Sequence, residues 1–143
     1  MKLQKASLFG LYAVLELASD PERQLSATDI ADKYGISTHH LAKVMRTLVR
    51  GGLVQAVRGV GGGYRFSGNV NRTTVLEVIE LFEKFEADNA FAKSRLLPGN
   101  RIMAELQMLS DEVDDLTRAV LDTITLKTVL SNASRIRFAE SRG

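Results

Sequence analysis

The chain has 143 residues, of which 45% are hydrophobic, so it is long and apolar enough for one compact domain with an assembly element and too apolar for wholesale disorder. It contains no cysteine, which excludes disulfides, thiolate nucleophiles and every Cys-ligated zinc or iron–sulfur site. The formal net charge of +2 is unevenly divided, because residues 1–72 carry 10 Lys+Arg against 5 Asp+Glu whereas residues 73–143 carry 9 against 12.

The first predicted helix spans about residues 3–19. Four apolar residues recur there at helical spacing: Leu8, Tyr12, Leu15 and Ala18. Pro21 ends the helix, since the residue before a proline avoids helical dihedral angles. The basic start and apolar stretch resemble a signal peptide, but Glu16 interrupts the stretch and no small-residue cleavage site follows. With no apolar run near the ~20 residues that span a bilayer, we expect a cytoplasmic protein.

A helix-turn-helix pattern comes next. Ser26 and Asp29 approximate a capping box at the start of a short second helix, which Gly35 ends. Ser37 is a suitable N-cap for a third helix that runs to about Arg50 and stops at a pair of glycines. A short helix, a glycine turn and a second helix are typical of helix-turn-helix domains, although the pattern alone is common.

A basic β-hairpin is predicted directly after the third helix. Its strands are residues 53–57 and 64–66, and its tip is the glycine-rich segment Arg58-Gly59-Val60-Gly61-Gly62-Gly63. A hairpin of this kind after a recognition-type helix is a wing. A capped fourth helix then begins at Thr73 or Thr74, with an acidic side and one buried face: Val75, Val78, Ile79, Phe82 and Phe85.

The last long helix carries an apolar seam with the 4-3-4-3-4 spacing of a coiled coil: Ile102, Leu106, Leu109, Val113, Leu116 and Val120. We predict that these residues join two copies of the chain, the alternative being packing of this helix on its own domain. The expected fold is mainly α, a winged helix-turn-helix with a small β-hairpin wing and a long C-terminal dimerisation helix. Its predicted parts are a DNA-binding domain (1–86), a linker (87–100), the dimerisation helix with a short terminal helix (101–130) and a polar tail (131–143).

The central part of the chain has a single sign of charge. No Asp or Glu occurs between Asp32 and Glu77, while seven basic residues do: Lys33, Lys43, Arg46, Arg50, Arg58, Arg65 and Arg72. Such a segment repels itself unless a negative partner faces it, and neutralising phosphates releases counterions from a polyanion. Double-stranded DNA is therefore the predicted partner.

The third helix has two distinct faces. His39, Lys43, Arg46 and Arg50 fall within ~60° of one another, and an apolar face lies opposite: Leu41, Val44, Met45 and Leu48. Residues at the start of a docked recognition helix usually contact base edges, and basic residues further along hold the DNA backbone. The predicted DNA-binding residues are Ser37, Thr38, His39, His40, Lys43, Arg46, Arg50, Arg58, Gly61, Tyr64 and Arg65.

Three other functions find weaker support. His39 and His40 point about 100° apart on a helix, so they cannot chelate one metal ion together. The glycine tract resembles a dinucleotide-binding loop, but Tyr64 replaces its third glycine and no helix follows. The sequence shows no converging acid, base and nucleophile of the kind that an enzyme needs. A winged-helix adaptor that binds proteins without DNA is the alternative, and it would need no basic face.

Several segments resemble the Rrf-type winged helix-turn-helix transcription regulators, the family of the iron–sulfur cluster regulator, the nitric-oxide-sensing repressor and the cysteine-metabolism repressor. They are residues 1–3, 10–13, 30–31, 34–37, 41–44, 52–54, 74–80 and 124–130, and above all the wing motif at 57–65. The resemblance covers nearly the whole chain. It implies a bacterial homodimer, joined through a helix at about 101–122, that binds pseudo-palindromic promoter DNA, commonly as a repressor. It also implies that residues 37–43 lie in the major groove and Arg58 in the minor groove.

The chain departs from this family at one point. Many members hold an iron–sulfur cluster with three cysteines between the fourth helix and the dimerisation helix, where this chain has residues 87–98 without a thiol. The resemblance therefore implies a member without a Cys-ligated cluster, and no cofactor is predicted. A small effector, whose identity is unknown, is expected to enter near residues 85–97.

Overall fold

The computed structural model describes residues 2–84 and 97–136. The helices in these ranges are α1 (Lys5–Ala18), α2 (Ala27–Tyr34), α3 (Thr38–Arg50), α4 (Val75–Glu80), α5 (Arg101–Leu121) and α6 (Leu126–Ser134). The strands β1 (Val54–Val57) and β2 (Gly63–Phe66) pair antiparallel as one two-stranded sheet. The predicted fold class, mainly α with a hairpin wing and a long C-terminal helix, is confirmed. None of the helices in the described ranges has the length and apolarity needed to cross a membrane.

Short-range signals explain the helix-turn-helix. The Ser26 hydroxyl accepts a hydrogen bond from the Asp29 N–H (3.0 Å), and the Asp29 carboxylate accepts one from the Ser26 N–H (3.1 Å), so the predicted capping box is complete. α2 ends at Gly35, whose φ of 67° is a left-handed conformation that glycine adopts without a Cβ clash. Ser37 then caps α3 by accepting from the His40 N–H (3.1 Å).

The core lies between α1, α2, α3 and the hairpin. The apolar face predicted for α3 is buried in it, and the residues less than 1% exposed include Ala13, Val14, Leu17, Ile30, Leu41, Met45 and Leu48. Val54 and Phe66, which are directly paired across the hairpin, add side chains from the sheet. This packing holds one side of α3 and strand β2 against α1, with β1 against α3, and it leaves the other side of α3 for a partner.

α4 is shorter than its apolar pattern predicts. It ends at Glu80, because Leu81 and Phe82 donate their N–H groups to the carbonyls of Val78 (3.2 Å) and Ile79 (3.0 Å), three residues back rather than four. The half-buried Phe82 ring packs against Gly10, where a Cβ atom would overlap it. Phe85 lies outside the described residues, as do the predicted linker up to residue 96 and most of the predicted effector segment.

Glu83, on the predicted acidic side and three residues beyond the observed end of α4, bonds the start of α1. The Glu83 carboxylate accepts hydrogen bonds from the Gln4 N–H (2.9 Å) and from the buried Ser7 hydroxyl. Gln4 is the N-cap of α1 and its own side chain makes no capping bond. A carboxylate distant in sequence therefore satisfies the free N–H at the start of α1 and is favourably placed at the positive end of that helix.

The C-terminal end of α5 is attached to the winged domain. Leu121 packs with Leu76 and Ile79, and the Arg118 guanidinium lies 2.7 Å from the Glu80 carboxylate. α6 returns to the domain by burying Leu126 completely. It continues to Ser134, so residues 131–134, predicted to belong to the tail, are helical.

Candidate nucleic-acid interface

The outward face of α3 is basic and exposed. His39, Lys43, Arg46 and Arg50 are all solvent-exposed, on the side opposite to the buried apolar face. Within the described ranges, the ion pairs join other residues, and no carboxylate is bonded to Lys43, Arg46 or Arg50. The positive charge of this face is therefore available to an external anion.

The two adjacent histidines have different surroundings. His39 is exposed, whereas His40 is half-buried and lies edge-on to the Phe9 ring of α1, with ring centroids 4.9 Å apart and planes at 74°. His40 also donates its backbone N–H to Ser37. These contacts hold the start of α3 against α1. Sequence reasoning missed Phe9, since an aromatic residue on a first helix gives no local sign of its partner.

The wing presents its arginines away from the core. Side chains alternate between the two faces of a strand, so Tyr64 and Phe66 pack towards the core while Arg65 points to the other side. There the Arg65 guanidinium donates to the Gln55 side-chain oxygen of the paired strand (3.2 Å). Tyr64 is also fixed by its backbone, which exchanges hydrogen bonds with Leu25 at 3.0 and 2.7 Å.

The tip of the wing is a tight turn. The Gly62 N–H donates to the Gly59 carbonyl (2.9 Å), and Gly59 and Gly61 have φ of 105° and 75°. Arg58, the first residue of the tip, is exposed directly before this turn. The glycine tract thus forms a hairpin tip, as predicted, rather than a loop that leads into a helix.

A buried carboxylate positions the helix-turn-helix on α1. Glu16 is 7% exposed and bonds three groups: the Arg23 guanidinium (2.8 Å), the Lys33 ammonium (2.8 Å) and the Tyr34 hydroxyl (2.6 Å). Burial raises the pKa of Glu16, but the hydrogen bonds from Lys33, Tyr34 and Arg23 outweigh burial and leave this pKa below its ordinary value. Burial and the bond to Glu16 raise the pKa of Tyr34. The Tyr34 ring also stacks on Tyr12 of α1, with centroids 5.0 Å apart.

The ion pair with Glu16 removes Lys33 from the positive surface that the basic segment offers to a partner. Lys33 is the first of its seven basic residues, yet it is paired with Glu16 and holds α2 to α1. The exposed positive surface therefore begins with α3. Glu16, which in the sequence merely interrupts an apolar stretch, is the carboxylate that neutralises Lys33. An acidic residue within the buried pattern of a helix was the one sequence signal that could have predicted a buried ion pair here.

Glu16→Gln should lower the free energy of unfolding by about 2 kcal/mol at neutral pH, because Arg23 and Lys33 would face an uncharged amide. Screening by solvent limits the loss, since the Lys33 side chain is 60% exposed. The pKa of Glu16 is lower in the folded chain than in the unfolded chain. Its stabilisation is therefore complete above the ordinary Glu pKa of ~4.3 and disappears as pH falls through the folded value. Urea unfolding at pH 7 and through the acid range measures both effects.

Glu22→Gln is the matched control, because Glu22 is an exposed glutamate in the neighbouring turn. It should change the unfolding free energy by less than ~0.5 kcal/mol at any of these pH values. Equal stabilities of wild type and Glu16→Gln at pH 7 would show that the cluster contributes nothing to the attachment of α2.

The predicted dimerisation seam lies open on α5. Five of its residues are exposed, Ile102 (74%), Leu109 (49%), Val113 (43%), Leu116 (61%) and Val120 (58%), and Leu106 is half-buried. The alternative, that the seam packs on its own domain, would require these side chains to be covered. A row of uncovered apolar side chains at coiled-coil spacing instead suits a second helix of the same kind.

The side chains of this chain do not suit a cysteine-ligated iron–sulfur cluster. Such clusters need thiolate donors, and the whole sequence has none. In the part of the chain that the structure describes, no three His, Asp or Glu side chains are grouped so as to hold a metal ion. The two histidines, His39 and His40, are adjacent on α3 and point in different directions.

Comparison with known proteins gives consistent matches. A family model described as Rrf2, iron-dependent transcriptional regulator, matches residues 3–132. The HTH-type transcriptional regulator BadM of Rhodopseudomonas palustris (strain ATCC BAA-98 / CGA009) is 46% identical over 143 residues, which are 100% of this chain and 90% of that protein. The structure of CymR (YrzC), the global cysteine regulator of B. subtilis, matches with a TM-score of 0.74 and 26% identity, covering 92% of this chain and 98% of that one. IscR of T. potens shares the fold, with a TM-score of 0.76, 23% identity and coverage of 100% and 97%.

Proposed function

This chain belongs to the Rrf2 family of transcription regulators and is a DNA-binding regulator, and from this premise we propose that it acts as a homodimeric repressor on pseudo-palindromic promoter DNA. The observation that carries the proposal is the exposed basic face of α3, which is followed directly by the basic wing. A recognition helix and a wing on one domain can contact the major groove and the adjacent minor groove of one duplex.

The proposed contacts divide by position. Ser37, Thr38, His39 and Lys43 lie on the first turns of α3, where side chains contact base edges in the major groove. Arg46 and Arg50 follow on the same face and bind phosphates. His40 supports this surface through Phe9 and presents at most its free edge to DNA. The wing contributes the remaining predicted residues: Arg58, Gly61, Tyr64 and Arg65.

The structure supports different roles in DNA binding for the four predicted residues of the wing. Arg58 and Gly61 are exposed at the tip and can approach the minor groove, whose negative potential attracts a guanidinium. Arg65, bonded to Gln55 on the outer face of the strand, is placed to bind a phosphate. Tyr64, which is half-buried, supports the hairpin by packing against the core and contacts DNA with its remaining surface.

The second copy of the chain joins through the α5 seam. Two winged domains held by one pair of helices bind two half-sites together, which suits a pseudo-palindromic operator. The predicted division of the chain, with the DNA-binding domain up to residue 86 and the dimerisation helix from residue 101, assigns these two tasks to separate segments.

The proposed regulator acts without a Cys-ligated cluster and is not an enzyme. The absence of cysteine removes the usual cluster ligands. The buried carboxylate Glu16 is held by three structural partners. DNA in the cytoplasm of a bacterial cell is the proposed partner, and the signal that controls binding acts through another ligand or a protein.

Titration of DNA from upstream of the protein's own gene at several salt concentrations tests this function. We expect the logarithm of the association constant to fall linearly with the logarithm of the salt concentration, by about 0.9 for each phosphate neutralised. A flat salt dependence, or no binding at low salt, would contradict binding led by phosphate contacts and would favour a protein-binding adaptor.

Arg58→Ala should weaken specific binding by ~1–3 kcal/mol, because it removes the wing's guanidinium from the minor groove. Its fold should be unchanged, since Arg58 is exposed and lies outside the strands. Electrophoretic mobility shift with the same DNA measures the loss. Arg135→Ala, which removes an exposed arginine at the end of α6, is the control and should bind like wild type. Wild-type affinity of Arg58→Ala would mean that the wing does not contact DNA in this way.

A further inference from the structure

The wing tip carries an apolar side chain that nothing in the described chain covers. Val60 has a relative exposure of 111%, the highest among the exposed large hydrophobic residues of these ranges. Single exposed apolar residues are common on protein surfaces, but Val60 lies at the outermost turn of a basic hairpin. It has no part in the function proposed above, which uses only the arginines, Tyr64 and a glycine of the wing.

The turn holds Val60 in one position. Gly59 and Gly62 are bonded across it, so Val60 is its second residue and Gly61, with φ of 75°, its third. A Cβ at Gly62 would lie 2.5 Å from the Val57 carbonyl oxygen, so the chain is too tight there for any residue but glycine. Valine is also restricted in its side-chain rotamers. The tip therefore presents a small, stiff apolar group rather than a flexible polar one.

The charges around Val60 indicate its partner. Arg58 is exposed two residues earlier, and no described carboxylate pairs with it. The glycines on both sides of Val60 add no side chains, so the backbone can enter a narrow groove. A positively charged, narrow tip with an apolar end fits the minor groove of DNA, which is negative at its edges and lined by sugars.

The minor groove distinguishes base pairs by a single group. A·T and T·A pairs present only acceptors there, whereas a G·C pair adds the N2 amino donor of guanine. An aliphatic side chain offers this donor no acceptor and displaces the water that would bond it, so the amino group would be left unpaired. A valine at the floor of the groove therefore disfavours G·C without any hydrogen bond of its own.

We propose that Val60 is a specificity-determining residue that makes the wing select A·T over G·C at the base pairs under its tip. The inference rests on the proposed function, because it requires the wing to lie in the minor groove. Arg58 supplies the attraction to the groove, and Val60 supplies the discrimination between base pairs.

The test uses three versions of the upstream DNA of the protein's own gene. Hydroxyl-radical footprinting first locates the minor-groove positions protected by the wing. Those positions are then made A·T, G·C or inosine·C, which keeps the major-groove pattern of G·C but lacks the minor-groove amino group. We expect wild type to bind the A·T and inosine·C versions within about twofold of each other and the G·C version roughly tenfold more weakly.

Val60→Thr is the decisive variant, because threonine has nearly the shape of valine and a hydroxyl that can bond either the amino donor or the acceptors. Its preference for A·T over G·C should fall below about threefold, with an unchanged thermal unfolding midpoint because the site is fully exposed. Val60→Ala, which shortens the apolar group, should retain the direction of the preference at lower overall affinity.

Three results would overturn the proposal. A full tenfold preference in Val60→Thr would show that groove width or Arg58 causes it. Equal binding of the inosine·C and G·C versions would place the discrimination in the major groove. Equal binding of all three DNAs by wild type and Val60→Thr, with loss of repression in vitro only in the variant, would assign the tip to a protein partner. Failure of wild type to bind any version would instead contradict the proposed function itself.

Discussion

Leu109→Asp should convert the protein from a dimer to a monomer at micromolar concentration and weaken its binding to a two-half-site DNA by on the order of a hundredfold. Leu109 lies in the middle of the seam and is 49% exposed in the single chain. In a dimer joined through the seam, its aspartate would be buried against the apolar face of the partner's helix. Burying an unpaired charge opposes association strongly. Sedimentation and mobility shift measure the two effects.

Met108→Asp is the matched control. Met108 is the neighbouring residue, is 66% exposed and lies off the seam, so the same acidic group is introduced into the same helix without entering the interface. This variant should remain dimeric and bind DNA like wild type. A Leu109→Asp protein that stays dimeric would place the interface elsewhere, and a monomeric Met108→Asp would show that the contact is broader than one seam.

Lys43→Glu should weaken binding to the specific DNA by on the order of a hundredfold, the second large effect that we expect. The substitution removes a donor from the centre of the exposed face of α3 and places a carboxylate against phosphates or guanine acceptors. It should also make the salt dependence shallower by about one unit or more, since fewer counterions are released. Stability should change little, because the Lys43 side chain is exposed.

Lys127→Glu controls for the change in net charge. Lys127 is an exposed lysine on α6, so the variant has the same total charge as Lys43→Glu while the face of α3 is intact. It should lose affinity only slightly, through the long-range field. Equal losses in the two variants would indicate non-specific attraction to DNA rather than contacts made by α3.

These two substitutions separate the tasks of the chain. Leu109→Asp should leave each winged domain able to bind a half-site weakly, with its salt dependence per domain intact. Lys43→Glu should leave the dimer intact but impair every half-site. Opposite patterns of assembly and binding in the two variants are therefore the expected signature of a dimeric regulator.

Most of the secondary structure was predictable, because its signals act within a few residues. The capping box of Ser26 and Asp29, the left-handed Gly35 and the cap at Ser37 define the helix-turn-helix without distant contacts. The same holds for the glycine-rich wing and for the spacing of the seam. α4 was predicted too long, since its apolar spacing continues past Glu80 while the backbone tightens there.

The charge of the candidate site was predictable from the sequence, whereas the contacts of its individual residues were less so. A segment without carboxylates indicates a polyanion whatever its fold, and the helical period separates the face of Lys43 and Arg46 from the apolar face. Which bases the predicted residues contact stays a prediction. That His40 packs on Phe9, and that Val60 stands uncovered at the tip, required the relative placement of α1, α3 and the hairpin.

The order of the elements, the sign of the charge on α3 and the spacing of the seam all follow from neighbours along the chain, so they can be read from the residues alone. The availability of each charge follows instead from the folded arrangement. Lys33 is paired with Glu16, Glu83 lies at the start of α1, and Lys43, Arg46 and Arg50 have no carboxylate partner among the described residues. An ion pair or a cap depends on distance in space, which local patterns of residues do not specify.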